Sequence, residues 1–305
     1  MKKATEVKYP SSASLFQFCR RVLDHKFGGI RVIDQDVGSI LGFDPADCSH
    51  WKKGKKNIRS IQAMKSIAEH LGVDERLVVD IASGDLDESE AFHEFTGYGA
   101  FSIDSKVFES AKKDYYRRHA NNWSKDKETE FRKYFDINET LIDDIVAGIH
   151  AKINFQEAPL YLPEVVAAYP EIELNAVENA AGENEDARSV VSTRAGKSQV
   201  ITYTAGSEMR PFMRYRIAKS MADYFLTEKL NEMATDANEF TSHLRDVQSN
   251  LFAAKLLAPA HLIKKEMARI NVSKDVVSQL AEIFWVSKTF MNRRLKELLQ
   301  GAFEA

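Results

Sequence analysis

The stretch Ile33–Val73, IDQDVGSILGFDPADCSHWKKGKKNIRSIQAMKSIAEHLGV, decides how the N-terminal part of this chain folds. It predicts two short helices on either side of Gly42, because Asp34 and Asp44 are both suitable N-caps. Gly54 is expected to end the second of these helices. Further helices are predicted over residues 13–27, 60–71 and 74–82. Five short helices within about 70 residues indicate a compact N-terminal domain, which we place at residues 1–84.

Positive charge is concentrated in the same stretch. Between Cys48 and Ala68 there are six basic residues and no acidic one. The basic residues are Lys52, Lys53, Lys55, Lys56, Arg59 and Lys65. The whole chain has a formal net charge of -3, so the surplus is local. A lysine run is more often only a solvated surface, but clustered cations beside a short helix are also what phosphate binding requires.

The spacing of particular residues points to one kind of domain. The pattern comprises Gln35, Val37-Gly38, Leu41-Gly42, Trp51, Gly54-Lys55, Ile67-Ala68 and Leu71-Gly72-Val73. In this order it resembles the phage-repressor-type (Xre-like) helix-turn-helix family. In that family the second motif helix lies in the major groove of DNA, where its first residues reach base edges. The resemblance therefore implies that double-stranded DNA is the partner.

The resemblance also assigns DNA contacts to individual positions. The expected DNA-binding residues are Gln35, Pro45, Ala46, Ser49, His50, Lys52, Lys53, Lys55 and Lys56. Pro45 and Ala46 have no side-chain hydrogen-bonding group and can only touch a thymine methyl. Ser49 and His50 are the better candidates for base contact. The four lysines and Gln35 are expected to contact phosphates.

The second half of the chain contains three further motif-like segments. They are Arg214–Leu226 (RYRIAKSMADYFL), Asp246–Pro259 (DVQSNLFAAKLLAP) and Leu280–Ser287 (LAEIFWVS), the last followed by Arg294-Leu295. Their order and spacing resemble those of the ImmA/IrrE metallopeptidase-like family, many of whose members carry a helix-turn-helix domain in front. The resemblance implies an α+β zincin-like domain, which we place at residues 136–305.

The catalytic motif of that family is altered in this chain. In HEXXH, two histidines on one helical face bind zinc and the glutamate activates water. Those positions hold Lys219, Ser220 and Asp223, and the third-ligand position falls on Asp246, with Gln248 as the alternative. A protonated lysine has no lone pair for a metal. We therefore expect a non-enzymatic pseudo-peptidase domain without zinc or another cofactor.

Lys219 and Asp223 stand four residues apart on the predicted helix, which is close enough for an ion pair. One hypothesis is that this pair replaces the metal, with Asp246 as a further member. The alternative is an ordinary surface pair. The second helix of the pair around Val286-Ser287 carries several cations and could contact DNA, but packing or a dimer contact is the favoured interpretation.

Between the two domains, residues 85–135 are predicted to form a helical connector. Its aromatic residues Phe108, Tyr115, Tyr116 and Trp123 are candidates for the core or for a dimer contact. Residues 153–187 contain eight acids and no base. Beyond them, residues 190–191 and 199–204 favour two strands of a hairpin. The predicted fold is therefore mainly α with a small β-hairpin or sheet.

These features lead to a hypothesis about function. The chain has two cysteines, no signal-peptide pattern and no run of about 18 apolar residues, so a cytoplasmic protein without a membrane partner is expected. The most consistent function is a dimeric, sequence-specific transcriptional regulator whose second domain senses a small-molecule or protein effector or forms the homodimer. The alternatives are a protein-interaction module, such as an antitoxin or adaptor, and an active zinc peptidase that cleaves a repressor.

Overall fold

The computed structural model describes residues 7–28, 31–98, 139–178, 190–195, 198–205, 209–230 and 239–303, together with residues 113 and 117. The chain divides into two compact units, with the boundary between Gly97 and Tyr98. Within the described ranges the chain is mainly helical and has one small sheet, as the sequence predicts. None of the described helices is both long enough and apolar enough to cross a membrane.

The described residues of the first unit form six helices. They are α1 (Pro10–Lys26), α2 (Asp34–Leu41), α3 (Pro45–Lys52), α4 (Ile61–Leu71), α5 (Glu75–Ser83) and α6 (Glu88–Gly97). The first five follow the predicted pattern, and the side chains of Asp44, Ser60 and Asp74 each cap a helix by accepting a backbone hydrogen bond. Helix α6 lies within the helical connector that the sequence predicts for residues 85–135. It packs against α1 through the buried Ala91, so part of the expected connector belongs to this unit.

A small aromatic core holds the first unit together. Trp51 is fully buried and contacts the rings of Phe16 and Phe43, with centroid distances of 5.2 Å and 5.0 Å. Its indole N–H donates to the backbone oxygen of Ser12 at 2.5 Å. Burial of an aromatic ring with a satisfied N–H is strongly stabilising. This contact attaches the end of α3 to α1.

The second unit consists of seven helices and a three-stranded sheet among its described residues. The helices are α7 (Glu139–Lys152), α8 (Leu162–Ala168), α9 (Pro211–Leu230), α10 (Glu239–Leu257), α11 (Ala260–Met267), α12 (Val276–Phe284) and α13 (Lys288–Phe303). The strands are β1 (Ile172–Glu178), β2 (Val190–Ala195) and β3 (Ser198–Ala205), in the order β1-β3-β2.

Strands β2 and β3 pair antiparallel, so the predicted hairpin is confirmed. Strand β1 pairs parallel with β3 and was missed, because it lies in the acidic stretch that we treated only as a charge feature. The second half of helix α10 is enclosed by the core, since every residue from Val247 to Leu257 except Ser249 is buried. A helix that is buried on all sides needs neighbours on all sides, and α9 and α7 both pack against it.

Several predictions fall on residues that the structure does not describe. These are most of the helical connector between residues 99 and 135, including its four aromatic residues Phe108, Tyr115, Tyr116 and Trp123, and the end of the acidic stretch from residue 179. They remain predictions.

Candidate functional site

Helices α2 and α3 approach each other closely at a glycine. A Cβ atom on Gly38 would lie 2.9 Å from Cys48 Sγ and 3.0 Å from the backbone oxygen of Phe43, so no larger residue fits. Between the helices Gly42 adopts a left-handed conformation with φ 72°, and its N–H donates to the oxygen of Gly38. The tight turn that the sequence predicts is therefore present and fixes α3 against α2.

Helix α3 has two chemically different faces. Cys48 and Trp51 are buried, whereas Pro45, Ala46 and His50 are exposed and Ser49 is half-buried. At about 100° per residue, the four positions that the sequence analysis assigned to base contact share one side of the helix, opposite the buried pair. Gln35 is also exposed at the start of α2.

Helix α3 ends in a Schellman motif. Gly54 has φ 60°, its N–H donates to the oxygen of Trp51 at 2.8 Å, and the N–H of Lys55 donates to the oxygen of His50 at 2.8 Å. A Cβ at Gly54 would lie 2.9 Å from the oxygen of Tyr9, whose N–H bonds back to Gly54. This turn fixes the direction in which the chain leaves the helix through the lysines.

The lysines of this surface fall into two classes. Lys52 Nζ lies 2.6 Å from Asp34 Oδ2, and Lys56 Nζ lies 2.5 Å from Asp47 Oδ2. Lys53 and Lys55 are exposed and form no ion pair with any described residue. Arg59 and Lys65 are likewise exposed and unpaired within the described chain. The six-cation cluster counted in the sequence therefore has four unpaired cations, because acids from α2 and α3 neutralise the other two.

A polar network joins α9 and α10 in the second unit. Lys219 Nζ lies 2.5 Å from Asp246 Oδ1, and Asn250 Nδ2 donates to the other oxygen of Asp246 at 3.1 Å. Tyr215 Oη donates to Asn250 Oδ1 at 2.5 Å. Each helix thus contributes two residues at i, i+4 spacing. Asp246 therefore contacts the altered motif through Lys219.

Ser220 and Asp223 lie on the same helix and contact the hairpin. Gln199 Nε2 on β3 donates to the backbone oxygen of Ser220 at 2.7 Å. Asp223 is exposed, and Arg194 Nη1 on β2 lies 3.5 Å from its backbone oxygen. The motif residues therefore lie where α9 packs against β2 and β3.

A zinc ion does not fit this arrangement. The side chains at the motif positions supply an ammonium, a hydroxyl and a carboxylate, whereas zinc takes imidazole, thiolate or carboxylate ligands. The ammonium of Lys219 contacts Asp246 at the distance of a direct charge-assisted hydrogen bond, and Asn250 occupies the remaining oxygen. Among the described residues no group of three His, Cys, Asp or Glu side chains could hold a metal.

Tyr215 and Asn250 were not identified as site residues from the sequence. Burial raises the pKa of Tyr215 well above its ordinary value, and the negative charge of Asp246 adds to the rise. The hydroxyl is therefore a fixed proton donor to Asn250. The available signal was their spacing, because Tyr215 precedes Lys219 by one helical turn and Asn250 follows Asp246 by one.

Other motif residues bind backbone groups. Arg214 is buried and donates to the carbonyl oxygens of Leu160, Phe284 and Trp285, and burial lowers its pKa to about 10. Arg294 is also buried, and its Nε donates to the oxygen of Ala258 at 3.1 Å.

Ser287 links two parts of the second unit. Its Oγ accepts from the N–H of Phe290 at the start of α13 and lies 2.7 Å from Tyr98 Oη. Phe290 and Met291 are fully buried within the same core. The start of α13 is therefore a packing element.

Comparison with protein families places a match on the second unit. The model of the IrrE N-terminal-like domain matches residues 177–296, less than half of the chain. The matched range contains all three motif segments, so the resemblance of this region to that peptidase family is confirmed. The helix-turn-helix resemblance has no family match and stays a prediction. No curated protein and no solved structure matches the chain.

Proposed function

We propose that this protein is a dimeric, sequence-specific DNA-binding transcriptional regulator whose peptidase-like domain is catalytically inactive. In this proposal α3 enters the major groove with Pro45, Ala46, Ser49 and His50 facing the bases. Lys53 and Lys55 contact phosphates as the chain leaves the helix. Gln35, at the start of α2, contacts the backbone on the other side.

The observation that carries the proposal is the exposed face of α3. A short helix that buries Cys48 and Trp51 and leaves four residues on the opposite side has the geometry needed for reading a groove. Unpaired cations follow it immediately in the chain. The combination of a protruding face and adjacent positive charge is what sequence-specific binding requires, since phosphates position a protein and base edges specify the site.

The proposed loss of catalysis rests on the chemistry of the altered motif. General-base activation of water needs a carboxylate beside the first zinc ligand, and position 220 is a serine. The Lys219–Asp246 ion pair supplies structural order at this place without a nucleophile. In this proposal the second unit serves as the sensing or dimerising domain.

A homodimer follows from the size of the reading surface. One short recognition helix covers only a few base pairs, so useful specificity needs two copies on half-sites about one helical turn apart. The expected operator is therefore an inverted repeat.

The test is selection of bound fragments from a genomic DNA pool by the full-length protein at about 0.15 M salt. Recovery of a short inverted repeat is the expected result. Retention of DNA without a shared motif would contradict sequence specificity, and no retention would contradict DNA binding altogether.

A protein-interaction module is the second candidate, and one structural observation favours it. Among the described strands β1 lies at the edge of the sheet, and its residues Val177 (47% exposed) and Glu173, four positions earlier, are both exposed. An open edge strand can pair with an extended segment of a partner. Co-purification of one partner at fixed stoichiometry, together with no DNA retention, would favour this function.

A further inference from the structure

The two ion pairs on the α2–α3 surface were not evident from the sequence. Lys52 pairs with Asp34 across 18 positions of the chain, and Lys56 pairs with Asp47 at 2.5 Å. Both acids are about as exposed as their partners, with side-chain exposures of 41% and 46%. The acids therefore lie on the same surface as the cations that we assign to phosphate contact.

The negative charge of both acids is favoured by their positions in the chain as well as by the lysines. Asp34 begins α2 and Asp47 lies in the first turn of α3, where the helix dipole stabilises negative charge. Arg20 on α1 also lies 3.9 Å from Asp34. If Lys52 or Lys56 turned towards a phosphate, its carboxylate would be left beside the negatively charged DNA backbone, which is unfavourable.

We propose that Asp34 and Asp47 limit sequence-independent binding to duplex DNA by holding Lys52 and Lys56 away from the phosphates. This inference rests on the DNA-binding function proposed above. Sequence-independent affinity then comes from the four unpaired cations Lys53, Lys55, Arg59 and Lys65. The two acids keep the protein from adhering to any duplex, so that contacts of α3 with the bases decide where it binds.

The proposal predicts how strongly DNA binding depends on salt concentration. Each phosphate contact contributes about -0.9 to the slope of log K against log salt concentration. Four contacts give a slope of about -3.6 per chain bound, and six give about -5.4. The wild-type protein should show the first value on a duplex without an operator. The variant Asp34→Asn/Asp47→Asn should show the second, because both lysines become available.

The variant should therefore lose about 12-fold more affinity than the wild type between 50 mM and 200 mM salt. Asp36→Asn is the matched control. Asp36 lies in the same turn of α2, and its carboxylate accepts the N–H of Ile33 without an ion pair to any described residue. An asparagine can still accept that bond, so this variant removes a negative charge without releasing a lysine. Its slope should stay at the wild-type value.

The experiment uses full-length proteins, a fluorescent duplex of random sequence and anisotropy titrations at several salt concentrations, with far-UV circular dichroism to establish folding. A wild-type slope near -5.4, or an unchanged slope in the double variant, would overturn the inference and leave DNA binding intact. A steeper slope in Asp36→Asn equal to that of the double variant would also overturn it. Absence of binding by every protein at 50 mM salt would overturn the inference together with the proposed function.

Discussion

The ammonium of Lys219 and the carboxylate of Asp246 lie 2.5 Å apart and join α9 to α10. The family resemblance assigns the first and the third metal-ligand positions to these two residues. Their side chains are 25% and 45% exposed. The contact is therefore a partly solvated ion pair that extends inwards through Asn250 to the buried hydroxyl of Tyr215.

We expect this pair to stabilise the second unit modestly. In a double-mutant cycle of Lys219→Ala and Asp246→Ala, the coupling free energy should be about 0.5–1 kcal/mol, because solvent screens a partly exposed pair. Native-state hydrogen exchange of α10 amides measures it without interference from the first unit. The pair Lys265–Glu157, 3.8 Å apart and more exposed, is the control and should show coupling near zero. Equal values for the two pairs would contradict a structural role for Lys219.

Restoring the motif should restore metal binding. The variant Lys219→His/Ser220→Glu/Asp223→His presents two imidazoles one turn apart opposite the carboxylate of Asp246, which is a suitable zinc ligand set. We expect about one zinc ion per chain by mass spectrometry of protein purified without added metal. The same variant carrying Asp246→Ala should bind far less.

Zinc retained equally by the variants with and without Asp246 would mean that another residue, such as Gln248 or a neighbour, occupies the third position. Stoichiometric zinc in the wild-type protein would revive the active-peptidase alternative.

His50 and Lys53 should affect DNA binding in different ways. His50 is exposed on the proposed base-facing side of α3, so His50→Ala should change the preferred base at one position of the operator by about 1–3 kcal/mol. Lys53→Ala should weaken binding to all sequences and reduce the salt slope by about 1. Selection experiments with each variant separate the two effects. An altered sequence preference in Lys53→Ala with none in His50→Ala would reverse the proposed roles.

His150 predicts a pH dependence of stability. Its Nε2–H donates to the oxygen of Leu256 at 3.0 Å, and burial lowers its pKa below the ordinary 6.5. The unfolded chain therefore takes up a proton first as the pH falls, so stability is present above pH 6.5 and is lost below it, at up to about 1.4 kcal/mol per pH unit.

The variant His150→Gln keeps a donor and cannot titrate. Urea unfolding at pH 7.5 and pH 5.5 should show that the free energy of unfolding falls less in this variant than in the wild type. Between pH 7.5 and pH 8.5 the two proteins should change in parallel. An equal fall in the free energy of unfolding of both proteins between pH 7.5 and pH 5.5 would show that His150 does not cause the pH dependence.

Local chemistry was sufficient to predict much of the fold. Asp44, Ser60 and Asp74 cap helices through bonds within three residues of themselves, and such bonds can be inferred from sequence alone. Helix α6 falls within the predicted helical connector, but its packing against α1 was not predicted, because its sequence ESEAFHEFTG is mostly polar. Strand β1 lies in the acidic stretch, and among its residues with described burial only Ile172 is buried, so its order comes from pairing with β3 and is not visible in the local sequence.

In the candidate sites, too, local features could be predicted from the sequence, whereas contacts between helices could not. The exposed face of α3 follows from helical periodicity, whereas the pairing of Lys52 with Asp34 depends on how α2 packs against α3. Helical spacing places Tyr215 one turn from Lys219 and Asn250 one turn from Asp246, but the contact between Tyr215 and Asn250 joins residues 35 positions apart and depends on how α9 packs against α10.

Arg214, Ser287 and Arg294 have a consequence for how protein families are recognised. All three belong to the motif segments or follow them directly. Arg214 and Arg294 donate to backbone carbonyl oxygens, and Ser287 accepts a backbone N–H at the start of α13. In the bonds described above, none of them contacts positions 219, 220 or 223. A lineage could exchange its zinc-binding residues while these anchors stayed under the same folding constraint. A resemblance to a peptidase family that rests on such anchors reports a shared architecture and does not depend on which residues occupy the zinc-binding positions.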